Sequence, residues 1–193
     1  MKKLIPLAST FALALFFFTA DAQDCKPDKS INDKFTRKKY DYYNYDMKGK
    51  WNMLSDVSIT STFSLVVIGD TQIVAAVTYR QSAPKARHDL QPIRISKGTE
   101  FYLANDAASV KLVCIRDAIS DNKTSIISGN IEQTLFAEYE LPFADLETFS
   151  QQLFDQVLLT FDGTPAQKAN IKKKDAERMQ SDAKCLMTKF KKP

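Results

Sequence analysis

A tyrosine-rich stretch holds the residues whose types and spacing are best suited to binding chemistry. Tyrosine rings can stack on sugar rings while neighbouring carboxylates accept hydrogen bonds from the sugar hydroxyls, or they can anchor an interface. The same rings can instead pack across a sheet edge and close the core, which is the interpretation we favour. The candidate binding residues are Tyr40, Tyr42, Tyr43, Tyr45 and Trp51, with Asp41 and Asp46 among the tyrosines.

The other reactive side chains do not form a recognisable catalytic motif. His88, between Arg87 and Asp89, falls in a predicted loop over 81–91, where we interpret it as a solvated side chain rather than a general base. Cys114 falls in an apolar strand, which raises the pKa of a thiol and hides its sulfur. No catalytic residue is therefore assigned.

Metal and cofactor sites are not predicted either. The chain has one histidine, no Cys-x-x-Cys pair and no EF-hand loop, so the common zinc and calcium motifs lack their ligands. Its five glycines are isolated, so none builds a phosphate-binding loop, and the Gly-x-Ser-x-Gly pattern of many hydrolases does not occur. We expect no metal and no cofactor.

The first 22 residues have the pattern of a bacterial export signal. Two lysines precede an apolar run, Leu4–Thr19, and a small-x-small cleavage site ends at Ala22. The run is shorter than the roughly 20 residues of a membrane-spanning helix. We expect residues 1–22 to be removed and residues 23–193 to reach the periplasm or the medium as one globular domain. An uncleaved anchor and a lipoprotein lipidated on Cys25 are the alternatives.

Composition and charge agree with a soluble exported domain. Hydrophobic residues make up 44% of the chain, charged residues 26%, and the net charge is +4. Residues 166–193 carry eight lysines and one arginine against three acids. We interpret this basic segment as the solvated face of a terminal helix, because an exported protein meets little nucleic acid. Neither a nucleic-acid partner nor a transmembrane segment after signal cleavage is predicted.

Three cysteines lie beyond the expected cleavage point. In an oxidising compartment an odd number leaves one thiol unpaired, and Cys114 resembles a small buried hydrophobe. We therefore predict a disulfide between Cys25 and Cys185, which would link the leading arm to the last helix. The alternatives are that all three stay reduced or that Cys114 takes a partner.

Hydrophobic periodicity predicts an α+β fold. We expect an antiparallel β-sheet meander of about six or seven strands, packed against a late helix and a C-terminal helix. Strict alternation over 57–67, a Gly69-Asp70 turn and a second strand over 71–80 predict its central hairpin. Further strands are predicted over 93–95, 100–104, 110–114, 131–141 and 156–161, with a turn at Lys97-Gly98 joining the first two and a polar loop over 117–130.

Three helices are predicted. A short one over Ser30–Lys39 would use Ile31 and Phe35 as its apolar side, and another would follow Pro142. The last would begin at the capping-box pattern Thr164-Pro165-Ala166-Gln167. Its predicted apolar stripe is Ala169, Ala176, Met179, Ala183, Leu186, Met187 and Phe190.

These patterns lead to one functional hypothesis and two alternatives. The favoured hypothesis is a non-enzymatic exported module that binds a protein partner or a small ligand. One alternative is a hydrolase of envelope material that uses two carboxylates from the loops. The other is a carrier that holds an apolar ligand between the sheet and the last helix.

Overall fold

The computed structural model describes residues 25–49, 57–69, 71–86, 90–125 and 129–190. The expected export signal, Trp51 and His88 lie outside these ranges. The strands are β1 (Lys29–Asn32), β2 (Lys39–Gly49), β3 (Ser58–Ile68), β4 (Gln72–Pro84), β5 (Arg94–Ile95), β6 (Glu100–Ala104), β7 (Ser109–Val113), β8 (Ala118–Ile119), β9 (Asp121–Thr124), β10 (Asn130–Tyr139), β11 (Gln156–Leu159) and β12 (Gln167–Ile171). The helices are α1 (Phe143–Gln151) and α2 (Lys173–Phe190).

Ten of these strands form one antiparallel sheet, which confirms the predicted α+β fold. Their order is β7-β6-β11-β12-β2-β3-β4-β10-β9, with β1 paired to β2. The sheet curls until β7 meets β10. There Cys114 forms an antiparallel bridge with Tyr139, and the Ile115 N–H donates to the Glu138 carbonyl at 3.0 Å. The curled sheet therefore has a concave inner face and an outer face.

The inner face and both helices enclose one hydrophobic core. Phe63, at the centre of β3, packs against Phe101 of β6 and Phe149 of α1, with ring centroids 5.6 Å and 6.1 Å apart. Burial of a side chain of this size contributes about 1.5–3 kcal/mol. The helix α2 buries five residues of the predicted stripe, which are Ala176, Met179, Ala183, Leu186 and Met187. In the described part of the chain, no helix combines the length and the apolar character needed to cross a bilayer.

The helix predicted over Ser30–Lys39 is wrong, because this segment forms the β1–β2 hairpin. The Asp33 carboxylate accepts hydrogen bonds from the Phe35 N–H at 2.8 Å and the Thr36 hydroxyl at 2.7 Å. Such side-chain bonds to the local chain favour a turn over a helix. Phe35 therefore lies at the tip of the hairpin instead of on a buried helix face.

The start predicted for the last helix is also wrong. Gly163, with a φ of 73°, turns the chain after β11, and the Thr164 hydroxyl donates back to the Phe161 carbonyl at 3.2 Å. The chain then forms β12, which pairs with both β11 and β2, so Ala169 is buried in a strand. The local capping pattern is overridden because β12 completes the ladders of two neighbouring strands.

Several short strands pair differently from the predicted meander. The strand β5 pairs with β8 and not with β6, which lies between β7 and β11. The predicted polar loop over 117–130 contains β8 and β9. The large sheet has more strands than the predicted six or seven, because it also contains β1, β2, β9 and β12, of which β2 is an eleven-residue strand at its centre.

Polar side chains fill a gap along one edge of β2. There β1 pairs with residues 39–42 and β12 with residues 47–49, so Asn44 faces neither strand. The Asn44 N–H donates to Asp28 Oδ2 at 2.7 Å, and its carbonyl accepts a hydrogen bond from the Arg178 guanidinium. Arg178 also donates to Asp28 Oδ1 at 2.8 Å. We call Asp28 and Arg178 the clasp, because together they replace the missing strand partner of Asn44.

Two tyrosines on the inner face of β2 add contacts to the N-terminal arm and to α2. The Tyr43 hydroxyl donates to the Cys25 carbonyl at 3.1 Å, and the Tyr45 hydroxyl donates to Asp182 Oδ2 at 2.9 Å. The Arg178 guanidinium lies over the Tyr45 ring, 5.2 Å from its centroid, in a cation–π contact. Burial raises the pKa of Tyr43 to about 12, so at neutral pH its hydroxyl keeps the proton that it donates.

The structure brings Cys25 and Cys185 to disulfide-bonding distance, with their Cα atoms 5.7 Å apart. The predicted partners therefore lie together in the folded chain. The bond joins the start of the N-terminal arm to α2, on which Arg178 also lies. Cys114 is the free cysteine, and it is buried.

Replacing both Cys25 and Cys185 by serine should lower the free energy of unfolding. A link across 160 residues restricts the unfolded chain strongly, and loss of a native disulfide typically costs about 2–5 kcal/mol. Urea unfolding with and without a reducing agent measures this. Reductant should destabilise the wild type and the control variant Cys114→Ser, but not the double variant. An unlinked Cys25 peptide in a non-reduced digest would contradict the pairing.

Asp182 gives the stability of the protein a defined pH dependence. Burial raises the pKa of Asp182 above its ordinary value of 3.8, although the Tyr45 hydrogen bond and Arg178 oppose this shift. The folded state therefore binds more protons than the unfolded state as this carboxyl titrates. The contribution of Asp182 to stability is fully present below pH 3.8 and decreases as the pH rises through its folded-state pKa.

The variant Asp182→Asn should remove this decrease, because an amide can accept the Tyr45 hydrogen bond without ionising. Its unfolding free energy at neutral pH should equal or exceed that of the wild type. The matched variant Asp182→Ala leaves the buried Tyr45 hydroxyl unpaired and should lose about 1–3 kcal/mol. Urea unfolding from pH 3.5 to pH 7 tests both. Identical pH dependence in the wild type and Asp182→Asn would contradict the shift.

Candidate functional site

Alternation along β2 divides the four predicted tyrosines between the two faces of the sheet. Tyr43 and Tyr45 face the core and are buried, where they fasten the arm and α2. Tyr40 and Tyr42 lie on the outer face and stay partly exposed. The structure therefore brings two of the predicted binding residues together on an accessible surface, while Trp51 lies outside the described residues.

An apolar groove lies beside the tip of the β1–β2 hairpin and has a volume of about 440 Å³. Phe35 is 99% exposed and Ile31 is 37% exposed. The rings of Tyr40 and Tyr42 rest on a small apolar cluster of the outer face, formed by Val66, Val74 and Ala76. The apolar groove is lined by Ile31, Asn32, Asp33, Lys34, Phe35, Tyr40 and Tyr42.

A polar groove of about 300 Å³ adjoins it across the outer face of four strands. Sheet pairing places Asp46, Thr62 and Thr78 in one row and Thr60 beside Arg80 in another. These positions alternate with core residues, so their side chains lie on the face away from the core. The polar groove is lined by Lys29, Tyr42, Asn44, Asp46, Thr60, Thr62, Thr78 and Arg80.

Tyr42 belongs to both grooves and joins them. Burial raises the pKa of the Tyr42 phenol, so at neutral pH its hydroxyl keeps the proton and can both donate and accept a hydrogen bond. The side-chain oxygen of Asn44 accepts the Ser64 hydroxyl at 2.8 Å, which fixes the orientation of the amide. The amide nitrogen of Asn44 is then left as the donor toward the groove.

Charges in the polar groove are available to a ligand. Lys29, Asp46 and Arg80 are all exposed. Within the described residues, no side chain forms an ion pair or a hydrogen bond with the charged groups of these three residues. With two cations and one anion, the groove has a net positive charge.

The clasp helps to fix the position of β1, a strand that supplies residues to both grooves. Lys29 and Ile31 lie on β1, the strand that begins directly after Asp28. The Asp28 N–H donates to the Tyr42 carbonyl at 2.9 Å, while the Asp28 side chain binds Asn44 and Arg178. The outer-face site therefore depends on a contact with a helix that packs on the inner face.

The other reactive candidates do not join this site. The Cys114 thiol donates to the Arg116 carbonyl at 3.1 Å, and burial raises the pKa of Cys114, so the sulfur is a poor nucleophile. His88 lies outside the described residues. Among the side chains that the structure describes, no three of His, Cys, Asp or Glu come together in a group that could hold a metal ion.

Sequence reasoning missed most of the groove residues. Thr60 and Thr62 are the polar members of a strand whose alternation is plain in the sequence, and that alternation was the available signal. Arg80 could not be added to them without the β3–β4 register. Phe35 was placed on the buried side of a helix that does not form.

Comparison of this chain with protein-family models, with curated proteins and with solved structures found no match. A functional proposal therefore has to rest on the residues and the geometry of the two grooves.

Removing the arginine of the clasp should loosen β1. The variant Arg178→Met takes the guanidinium away from the Asn44 carbonyl and from the Asp28 carboxylate, which keeps the Asn44 N–H as its other partner; because the ion pair is partly exposed, the cost should be about 1 kcal/mol or less. Hydrogen exchange at the Asp28 amide, which donates to the Tyr42 carbonyl, should become faster. The control Lys184→Met removes an exposed positive charge from the same helix and should leave this amide protected. Equal exchange in the two variants would contradict the role of the clasp.

Proposed function

We propose that this protein is an exported, non-enzymatic binding module whose ligand occupies the two outer-face grooves together. The observation that carries the proposal is their junction at Tyr42, where an apolar surface and a polar surface meet on one rigid sheet. A ligand with apolar and polar parts would contact the rings of one groove and the hydrogen-bonding groups of the other. Such pairing of a few polar groups with aromatic side chains is typical of ligand sites.

The exposure of Phe35 supports binding at the apolar groove. A phenylalanine ring that is 99% exposed contributes nothing to the core, and its transfer from water to a ligand surface is favourable. It lines the apolar groove together with Ile31 and Tyr40, so a ligand there can contact all three apolar side chains. Aromatic residues in such positions commonly supply a large part of the binding energy.

The groove chemistry favours binding over the envelope hydrolase that the sequence left open. Acid–base cleavage of a glycosidic bond uses two carboxylates at a set separation. Asp46 is the one carboxylate that lines the polar groove, and Asp33 of the apolar groove lies opposite Lys38, eight residues before Asp46, which corresponds to about 26 Å of extended strand. The carrier alternative is disfavoured by the packing of the last helix, because Met179, Ala183 and Leu186 of α2 are fully buried in the same core cluster as the inner face of the sheet.

Export to the periplasm or the medium is the compartment that we propose. The pairing of Cys25 with Cys185 agrees with an oxidising environment, because disulfides are rare in the cytosol. The basic start, the apolar run and the cleavage pattern of residues 1–22 agree with the same route.

Threonine methyl groups provide a direct test of the proposed site. We would label the threonine methyls of the protein with ¹³C and titrate it with polysaccharide and protein fractions from the envelope of its native host. The signals of Thr62 and Thr78 should shift, because both residues line the polar groove, while those of Thr148 and Thr188 on the helices should not. Shifts confined to the helices, or no shifts at all, would contradict the proposal.

The variant Phe35→Ser should weaken that binding about tenfold, as expected for an interface residue worth more than about 1 kcal/mol. The matched control Ile119→Ser also removes an exposed apolar side chain, one that is 59% exposed but lies on β8. This control should bind like the wild type. Equal weakening by the two substitutions would contradict a role for the apolar groove.

A further inference from the structure

We infer that the polar groove recognises a linear saccharide chain that carries carboxylate groups. The inference rests on the proposed function and adds the class of ligand. It is carried by three properties of the groove, which are its length, its side-chain chemistry and the positions of two cations that have no partner among the described residues.

The groove crosses the sheet diagonally, which suits an extended ligand. At one end Lys29 lies opposite Tyr42 in the β1–β2 ladder, and Tyr42 lies opposite Val66 of β3. At the other end Arg80 lies beside Thr60. Thr60 and Val66 are six residues apart on β3, which corresponds to about 20 Å of extended strand. The step from β1 to β4 adds three strand spacings, about 14 Å across the sheet. The backbone positions of the two ends are therefore roughly 24 Å apart, so the groove suits an elongated ligand better than a compact one.

The groups between these ends match the hydroxyls of a saccharide. Thr60, Thr62 and Thr78 carry hydroxyls that both donate and accept hydrogen bonds, and the Asn44 amide nitrogen donates. The Asp46 carboxylate accepts hydrogen bonds from sugar hydroxyls. At the end of the groove the partly exposed ring of Tyr42 offers an apolar surface on which the C–H face of a sugar can stack.

An extended peptide fits this surface less well. Peptides that bind to sheets as added strands use the free backbone groups of an edge strand. Apart from Lys29 of β1, the lining residues lie on the face of β2, β3 and β4, where the backbone groups are already paired within the sheet. Recognition at this place must go through side chains, and those side chains are mostly hydroxyl and amide groups.

The two cations of the groove favour a ligand that carries negative charge. Lys29 and Arg80 lie near opposite ends of the groove, and within the described residues their charged groups have no partner. Asp46 offsets one of the two charges. A guanidinium binds a carboxylate through two parallel hydrogen bonds, so Arg80 suits a uronic acid residue. A chain with carboxylates spaced along it can satisfy both ends at once, whereas a neutral chain leaves both cations unpaired.

Isothermal titration calorimetry with defined oligosaccharides tests this inference. The probes are tetrasaccharides of galacturonate, of mannuronate, of guluronate and of glucuronate, with cellotetraose as the neutral match and tetraglutamate as the peptide match. At least one uronate should bind at least tenfold more tightly than cellotetraose and tetraglutamate, and its affinity should fall as salt is added. The Thr62 and Thr78 methyl signals should shift in the same titration.

Two variants test the role of the cations. Lys29→Met and Arg80→Met should each weaken uronate binding at least tenfold, while cellotetraose binding should not change. Both side chains are exposed, so neither substitution should disturb folding, which the remaining threonine signals report. The control Lys184→Met removes an exposed positive charge from α2, away from the outer face, and should leave uronate affinity unchanged.

The outcomes separate this inference from the proposed function. Equal binding of uronate and cellotetraose, or unchanged affinity in Arg80→Met, would overturn the role of the carboxylates. Equal binding of tetraglutamate would overturn the saccharide class. If every uronate fails to bind while an envelope fraction still shifts Thr62 and Thr78, the inference fails and the proposed function stands. If nothing shifts those signals, both fail.

Discussion

The outer-face site depends on the contacts that the Arg178 guanidinium makes with Asp28 and Asn44. The guanidinium enters a gap along the edge of β2 and binds both the Asn44 carbonyl and the Asp28 carboxylate. A strand edge with unpaired backbone groups would otherwise have to be solvated or covered. Because Asp28 directly precedes β1, this contact also fixes the strand that supplies Lys29 and Ile31 to the grooves. A residue of an inner-face helix thereby helps the β1–β2 ladder to hold β1 in place.

Under the proposed function, the two faces of β2 let a single strand serve stability and binding together. Tyr43 and Tyr45 face inward, where their hydroxyls fasten the N-terminal arm and α2. Tyr40 and Tyr42 face outward over a small apolar cluster of their own. The inner pair holds rigid the backbone that presents the outer pair. A ligand in the proposed site would therefore meet Tyr40 and Tyr42 on a backbone that the inner contacts already fasten, which reduces the entropy cost of binding.

The sequence was most informative where one periodicity ran unbroken. Alternation over β3 and β4 and the apolar stripe of α2 identified much of the core. The number and positions of the three cysteines identified Cys25 and Cys185 as partners. It misled where a local pattern competed with pairing over a long distance, as at Thr164, whose capping box lost to the ladders of β12. The polar groove could not be predicted, because the register that sets Arg80 beside Thr60 is a property of the folded sheet.

The central claim is that the Arg178 guanidinium is held in the gap beside Asn44. Nitrogen-detected NMR of the arginine side chains in the whole protein tests it most directly. The account predicts separate, slowly exchanging Nη signals for Arg178, with nuclear Overhauser contacts to the Tyr45 ring, whereas the exposed Arg80 should give a single averaged signal. A freely rotating Arg178 guanidinium, with the averaged signal of Arg80 and no contact to Tyr45, would contradict it.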